Sequence, residues 1–128
     1  MVKFRIEKDS LGSIKVPSNK LWGAQTQRSV QNFKIGVGKF HFQEDFIKAL
    51  AFQKKAAALT NAQLKLMNKR HAIMIGKVCD EIIQGKLNEH FPLVIWQTGS
   101  GTQINMNFNE VIANKSNLLL GSKLPTNK

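Results

Sequence analysis

Between residues 43 and 66, two nearly opposite faces of one helix are apolar. A step of about 100° per residue puts Phe46, Ile47, Leu50, Ala57, Ala58 and Leu64 on one side. Phe52, Leu59 and Leu66, spaced by seven, fall on almost the other side. A small domain standing alone rarely buries both faces of a helix. The second stripe therefore calls for cover from another chain, from further sequence, or from an internal place in a bundle. A second helical run, about residues 69 to 84, carries Ala72, Ile75, Gly76, Cys79, Ile82 and Ile83 on one face, with Gly85 placed to end it. The fold class that follows is mainly α.

The first residues behave differently. Phe4 and Ile6, then Ile14 and Val16, flank Asp9-Ser10-Leu11-Gly12-Ser13, the pattern of a short N-terminal β-hairpin. A short helix carrying Leu21, Val30 and Phe33 comes next, and Gly36-Val37-Gly38 reads as a loop. No repeat, linker or low-complexity tract interrupts residues 1–128, which read as one continuous unit. No run of about 18 apolar residues is present to span a bilayer. The start, Met1-Val2-Lys3-Phe4-Arg5-Ile6-Glu7, resembles neither a secretory signal nor a transit peptide, so a cytoplasmic protein is expected.

Charge raises the question of an anionic partner, since 19 Lys+Arg against 8 Asp+Glu leave +11. The cations are scattered singly or in pairs such as Lys54-Lys55 and Lys69-Arg70, with no basic stripe interleaved with aromatics, which argues against nucleic acid. The single cysteine, Cys79, cannot form an internal disulfide, and its place in an apolar stripe marks a buried structural thiol. With three scattered histidines it makes no metal cage, so neither metal nor cofactor is expected. His71 and His90 lie near helix ends without a local partner and are expected at the surface.

Residues 91 to 121 carry the chemistry. An apolar, β-leaning segment, Phe91-Pro92-Leu93-Val94-Ile95-Trp96, feeds the small-residue loop Thr98-Gly99-Ser100-Gly101, which opens a helix with Ser100 or Thr102 as N-cap and Gly121 as its stop. Ile104, Phe108, Val111 and Leu118 form its expected buried face, and Thr102, Asn105, Asn109 and Ser116 a polar line. Five asparagines lie between Asn105 and Asn117. At roughly 0.6 kcal/mol each relative to alanine, they cost on the order of 3 kcal/mol of helix propensity. Amides donate and accept without net charge, which suits buried hydrogen bonds to backbone or to a ligand at a subunit junction.

The loop itself combines glycine turns, the Ser100 and Thr102 hydroxyls, and the unpaired N–H groups and positive dipole end of the helix that follows. That combination suits a carboxylate or phosphate, and equally a plain capped helix. It is no phosphate-binding P-loop, because no Lys-Ser/Thr follows the second glycine at the required spacing.

Trp96-Gln97-Thr98-Gly99-Ser100-Gly101-Thr102-Gln103, with Asn105-Met106-Asn107 and Asn109-Glu110-Val111-Ile112-Ala113-Asn114 behind it, strongly resembles the first signature region of class II fumarase (fumarate hydratase). Glu7-Lys8-Asp9-Ser10, Val16-Pro17 and Lys20-Leu21-Trp22-Gly23-Ala24-Gln25-Thr26-Gln27-Arg28-Ser29 are similar to that family's N-terminal region. The resemblance covers nearly the whole chain. It implies a helical N-terminal domain of the fumarase/aspartase type and metal-free, reversible hydration of fumarate to L-malate in the tricarboxylic acid cycle. It also implies a homotetramer whose sites draw on three subunits. On the matching motif, Ser100 and Thr102 would bind the substrate dicarboxylate and Gly101 would let the backbone come close; Lys128 is a guess at a second anion site.

Fumarases of this type are several times longer. The mobile-loop serine, the acid/base histidine and the carboxylate-binding lysine and asparagines find no counterpart here, and none of His41, His71 or His90 falls in a matching motif. The chain is thus expected to be an N-terminal domain or a fragment of one, with no catalytic residue of its own and no turnover alone. Aspartate ammonia-lyase shares the Asn-Met-Asn and Asn-Glu-Val pattern and is the nearest alternative. From other classes, the alternatives are a basic helical nucleic-acid-binding module and an interaction element using Phe52, Leu59 and Leu66.

Overall fold

In the computed structural model, which describes residues 1–124, the chain is a short antiparallel hairpin followed by four α-helices. It falls into two compact units: Met1–Phe42 together with the chain from Glu89 onward, and the helical stretch Gln43–Asn88.

The hairpin joins β1 (Phe4–Asp9) to β2 (Gly12–Pro17), with Asp9 opposite Gly12. Asp9 Oδ1 accepts the Leu11 N–H at 2.9 Å, and Gly12 takes φ +110, a conformation that side chains disfavour. On β1 the alternation runs opposite to the usual hydrophobic-in pattern, whereas β2 keeps it, with Val16 buried and Lys15 exposed. Arg5 and Glu7, opposite Val16 and Ile14, are 8% and 7% exposed, whereas Phe4 and Ile6 are 56% and 51% exposed.

Hydrogen bonds explain how charge sits on the inner face. Arg5 Nε donates to Glu7 Oε1 at 2.7 Å, and its two terminal nitrogens donate to the carbonyls of Pro17, Lys20 and Trp22 at 2.9, 2.7 and 2.6 Å. The connecting segment between β2 and the first helix forms no sheet or helix. Arg5 meets the need of its carbonyls instead.

That segment leads into α1 (Ala24–Asn32). Leu21 and Phe33, expected within this helix, lie just outside it. Farther along the same unit, α4 (Thr102–Leu119) buries Ile104, Phe108, Val111 and Ile112, and the Phe91 and Phe108 rings meet at a tilt of 39° with centroids 4.5 Å apart. Its end follows the sequence signal, with Gly121 at φ +87 and the Ser122 N–H returning to Asn117 O at 2.9 Å. Leu118, expected inside, is exposed.

In the helical unit, α2 (Glu44–Gln63) packs against α3 (Lys69–Ile83). Lys55 Nζ reaches Asp80 Oδ1 at 2.7 Å, and the Asn68 side chain caps α3 by accepting the Arg70 N–H at 2.8 Å. The buried residues of α2 are Ile47, Ala51 and Ala58; Phe46, expected with them, is exposed. The helix stops at Gln63, short of the expected residue 66, because Lys65 turns to φ +60. Leu64 and Leu66 consequently lie outside it and are exposed, as are Phe52 and Leu59 on the helix itself. On α3, Ala72, Gly76, Val78, Cys79 and Ile82 are buried, and Gly85 at φ +76 follows its last turn. Burial pushes the Cys79 thiol up to about 11, as an inert structural thiol requires.

Candidate functional site

The approach to the Ser100 loop is not a strand. Phe91, Leu93 and Val94 are buried, but sheet pairing is limited to one bridge between His41 and Val94, with the Ile95 N–H donating to Phe40 O at 2.9 Å. Pro92 has no N–H to offer a ladder. The segment is held by side chains instead. Gln97 Nε2 donates to Val94 O at 2.9 Å, and Trp96 meets Phe40 edge-on with ring centroids 6.1 Å apart.

Beyond it, Thr98, Ser100 and Thr102 form a string of hydroxyls. Thr98 Oγ1 donates to Gln103 Oε1 at 2.6 Å and stands 3.1 Å from Ser100 Oγ, which donates to Thr102 Oγ1 at 3.2 Å. All three residues are exposed. The N-cap of α4 is Gly101, at φ +74 and ψ 2, in place of Ser100 or Thr102. A left-handed residue is needed at the cap, so the two hydroxyl residues flank it, and Ser100 Oγ reaches the Thr102 N–H only at 3.4 Å. A Cβ on Gly99 or Gly101 would meet no atom within 4 Å, so the glycine at 101 answers a backbone conformation. The first in-helix bond runs from the Asn105 N–H to Gly101 O at 3.1 Å, and no acidic residue occupies the first turn. The helix end therefore keeps its positive character beside three hydroxyls.

Next to Thr102 lies a cleft of about 330 Å³, lined by Thr102 and Gln103 of α4, Gln25, Arg28 and Ser29 of α1, and Asp9 of β1. Ser100 and Gly101 are outside its lining. Arg28 is engaged there, donating to both Asp9 carboxylate oxygens at 2.9 Å and to Gly12 O at 3.0 Å. The Arg28 hydrogen bond holds the Asp9 carboxyl below its ordinary value. Lys128, the guessed second anion site, lies outside the described residues.

The asparagine helix divides its amides differently from the expected line. Thr102, Asn105 and Asn109 are exposed, while Ser116 is buried. The buried amides are Asn107, whose Nδ2 donates to His90 O at 2.9 Å, and Asn114, whose Nδ2 donates to Leu21 O at 2.7 Å. Between them Glu110, half-buried, accepts three backbone N–H groups: Gly23 at 2.9 Å and Thr26 at 3.1 Å on Oε2, and Gln25 at 2.8 Å on Oε1. Sequence reasoning missed Glu110. Its signal was the spacing 107, 110, 114, which puts one carboxylate and two amides on one helix face.

His90, expected at the surface, is buried. Its Nδ1 accepts the Leu21 N–H at 3.2 Å, so its proton sits on Nε2. Burial lowers its pKa, Glu89 opposes that shift, and Lys20 and Lys115 add to it. Its place directly before the buried Phe91 was the available clue. His71 is exposed as expected, and His41 accepts the Gly38 N–H at Nε2 while facing Leu93 O with Nδ1. Among the described residues no three of His, Cys, Asp and Glu are grouped so as to hold a metal ion, and no helix is long and apolar enough to cross a membrane.

Known proteins are similar to this chain along almost all of its length. A protein of Bacillus cereus named fumarate hydratase class II is 55% identical over 122 residues, which is 95% of this chain and 26% of that protein. The crystal structure of class II fumarase from Schistosoma mansoni superposes with a TM-score of 0.90 at 43% identity, over 94% of this chain and 26% of that one. A fumarate lyase:delta crystallin structure from Brucella melitensis gives 0.90 at 38% identity, over 96% and 29%. The chain thus spans about a quarter of the length of the relatives it matches. Residues 12–128 match the family described as Lyase, and to that lyase family the chain belongs.

Proposed function

We propose that this chain is the N-terminal part of a class II fumarate hydratase, which in its whole form interconverts fumarate and L-malate. The observation that carries the proposal is the exposed string of Thr98, Ser100 and Thr102 hydroxyls at the positive end of α4, in a chain that is 55% identical to a protein of that name. Hydroxyl and N–H donors converging there suit one carboxylate of a small diacid, with Ser100 and Thr102 also helping to place the attacking water. Gly101 keeps both hydroxyls on the exposed side of the loop by taking the left-handed cap conformation.

Hydration across the double bond also needs a positioned acid/base and strong stabilisation of the aci-carboxylate, in which negative charge spreads onto the oxygens of the other carboxylate. His90 and His41 are poor candidates for that work, and the exposed His71 falls in no motif that matches the family. His90 is buried and spends Nδ1 on Leu21, and His41 turns Nε2 to the Gly38 N–H and Nδ1 to the distant Leu93 carbonyl. The 128-residue chain therefore binds without turning over, and the remaining groups come from other sequence and other subunits of a cytoplasmic homotetramer. The exposed Phe52 and Leu59 on α2 supply apolar surface for such an assembly.

Assaying the whole protein with L-malate and with L-aspartate tests the proposal. Fumarate formed from malate, with none from aspartate, is the expected outcome. Ammonia released from aspartate with no activity on malate would instead make it an aspartate ammonia-lyase.

A further inference from the structure

The N-terminus of α1 lacks a cap of its own. Its N-cap is Gly23, which has no side chain to offer, and its first turn holds no acidic residue. The missing acceptor comes from Glu110, 84 to 87 positions away in sequence, whose two oxygens take the N–H groups of Gly23, Gln25 and Thr26. The fit is close on both sides. A Cβ at Gly23 would stand 3.0 Å from Glu110 Cδ and Oε1, so a glycine at this position leaves room for the carboxylate. Asn107 and Asn114, on the same face of α4, tie down His90 O and Leu21 O on either side of that bond set.

Those contacts fix one wall of the cleft relative to the other. Thr102 and Gln103 line it from the first turn of α4, and Gln25, Arg28 and Ser29 line it from α1. Glu110 sits eight residues along α4 from Thr102, about 12 Å down the helix axis, and it grips α1 at the end that carries Gln25. We propose that Glu110, seated against Gly23, is a positioning residue for the carboxylate-binding loop: it fixes α1 on α4 so that the α1 side chains and Thr102 face a bound diacid at a set separation. The proposal rests on the fumarate hydratase reading. Without the latch, α1 and α4 still pack, but the separation of the two walls is no longer fixed, and loss of such preorganisation weakens binding.

The test uses the whole protein and steady-state hydration of fumarate. Glu110→Gln keeps the fold of the side chain but turns one oxygen into an NH2 facing a backbone N–H. Gly23→Ala crowds the same carboxylate from the other side without changing charge. Each is expected to raise KM for fumarate roughly tenfold with kcat within about twofold, and Glu110→Asp, which keeps the charge, to recover part of that loss. Because both changes strike one latch, the double variant should be little worse than either single one. If Glu110→Gln fails to fold, Gly23→Ala carries the same criteria. An active wild type whose variants keep KM and lose kcat in proportion to folded protein, or whose effects multiply in the double variant, overturns the inference alone. A wild type inactive on fumarate overturns the reading and the inference with it.

Discussion

His90 accepts the Leu21 N–H at Nδ1 and lies buried with Lys20 and Lys115 near it, so its uncharged form is the one the fold uses. Its pKa in the folded chain is lowered from the ordinary 6.5. As pH falls through about 6.5, the unfolded chain takes up this proton before the folded one does. The contribution of His90 to stability is therefore complete above that pH and is lost as pH drops toward the lower, folded value. Asp9 and Glu89, whose pKa values are lowered by Arg28 and Lys20, act in the same direction but in the more acidic range of carboxylates. His90→Asn keeps an oxygen that can accept the Leu21 N–H and removes the titration. Urea unfolding at pH 5.5 and 7.5 should show a smaller acid loss in the variant than in the wild type; equal losses would remove His90 from the account.

The helices show where local pattern suffices. Gly85 and Gly121 ended α3 and α4 as sequence signals because a left-handed residue after the last turn is a local requirement. The sides of β1 and α2 were less legible. Arg5 turns inward because its partners are the carbonyls of Pro17, Lys20 and Trp22, and such distant pairing leaves no mark in the alternation of Phe4 and Ile6. On α2, Ala51 and Ala58 occupy the interior while Phe46 and Phe52 point outward, which hydrophobicity alone ranks in reverse. Within α4, Phe108 is fully buried against Phe91. In denaturant unfolding of the 128-residue chain by itself, Phe108→Ala should cost about 3–5 kcal/mol, whereas Phe52→Ala, exposed outside the proposed assembly, should stay within about 0.5 kcal/mol. Equal losses would contradict this division of the two aromatic residues.

Across the 128 residues together, a net charge of +11 favours the approach of anions, and the proposed diacid would meet that charge at the loop that heads α4. The loop was legible in the sequence because glycine spacing, hydroxyls and a helix start are contiguous. The latch from Glu110 to Gly23 was not, since its halves lie 87 positions apart. The central claim is that Ser100 and Thr102 hold one carboxylate of a diacid while other polypeptide completes the pocket. Crystals of the intact assembly with L-malate bound measure this directly. A carboxylate oxygen within about 2.5–3.0 Å of the Ser100 or Thr102 hydroxyl is the expected result; malate seated in the active site with both hydroxyls beyond hydrogen-bond reach contradicts it.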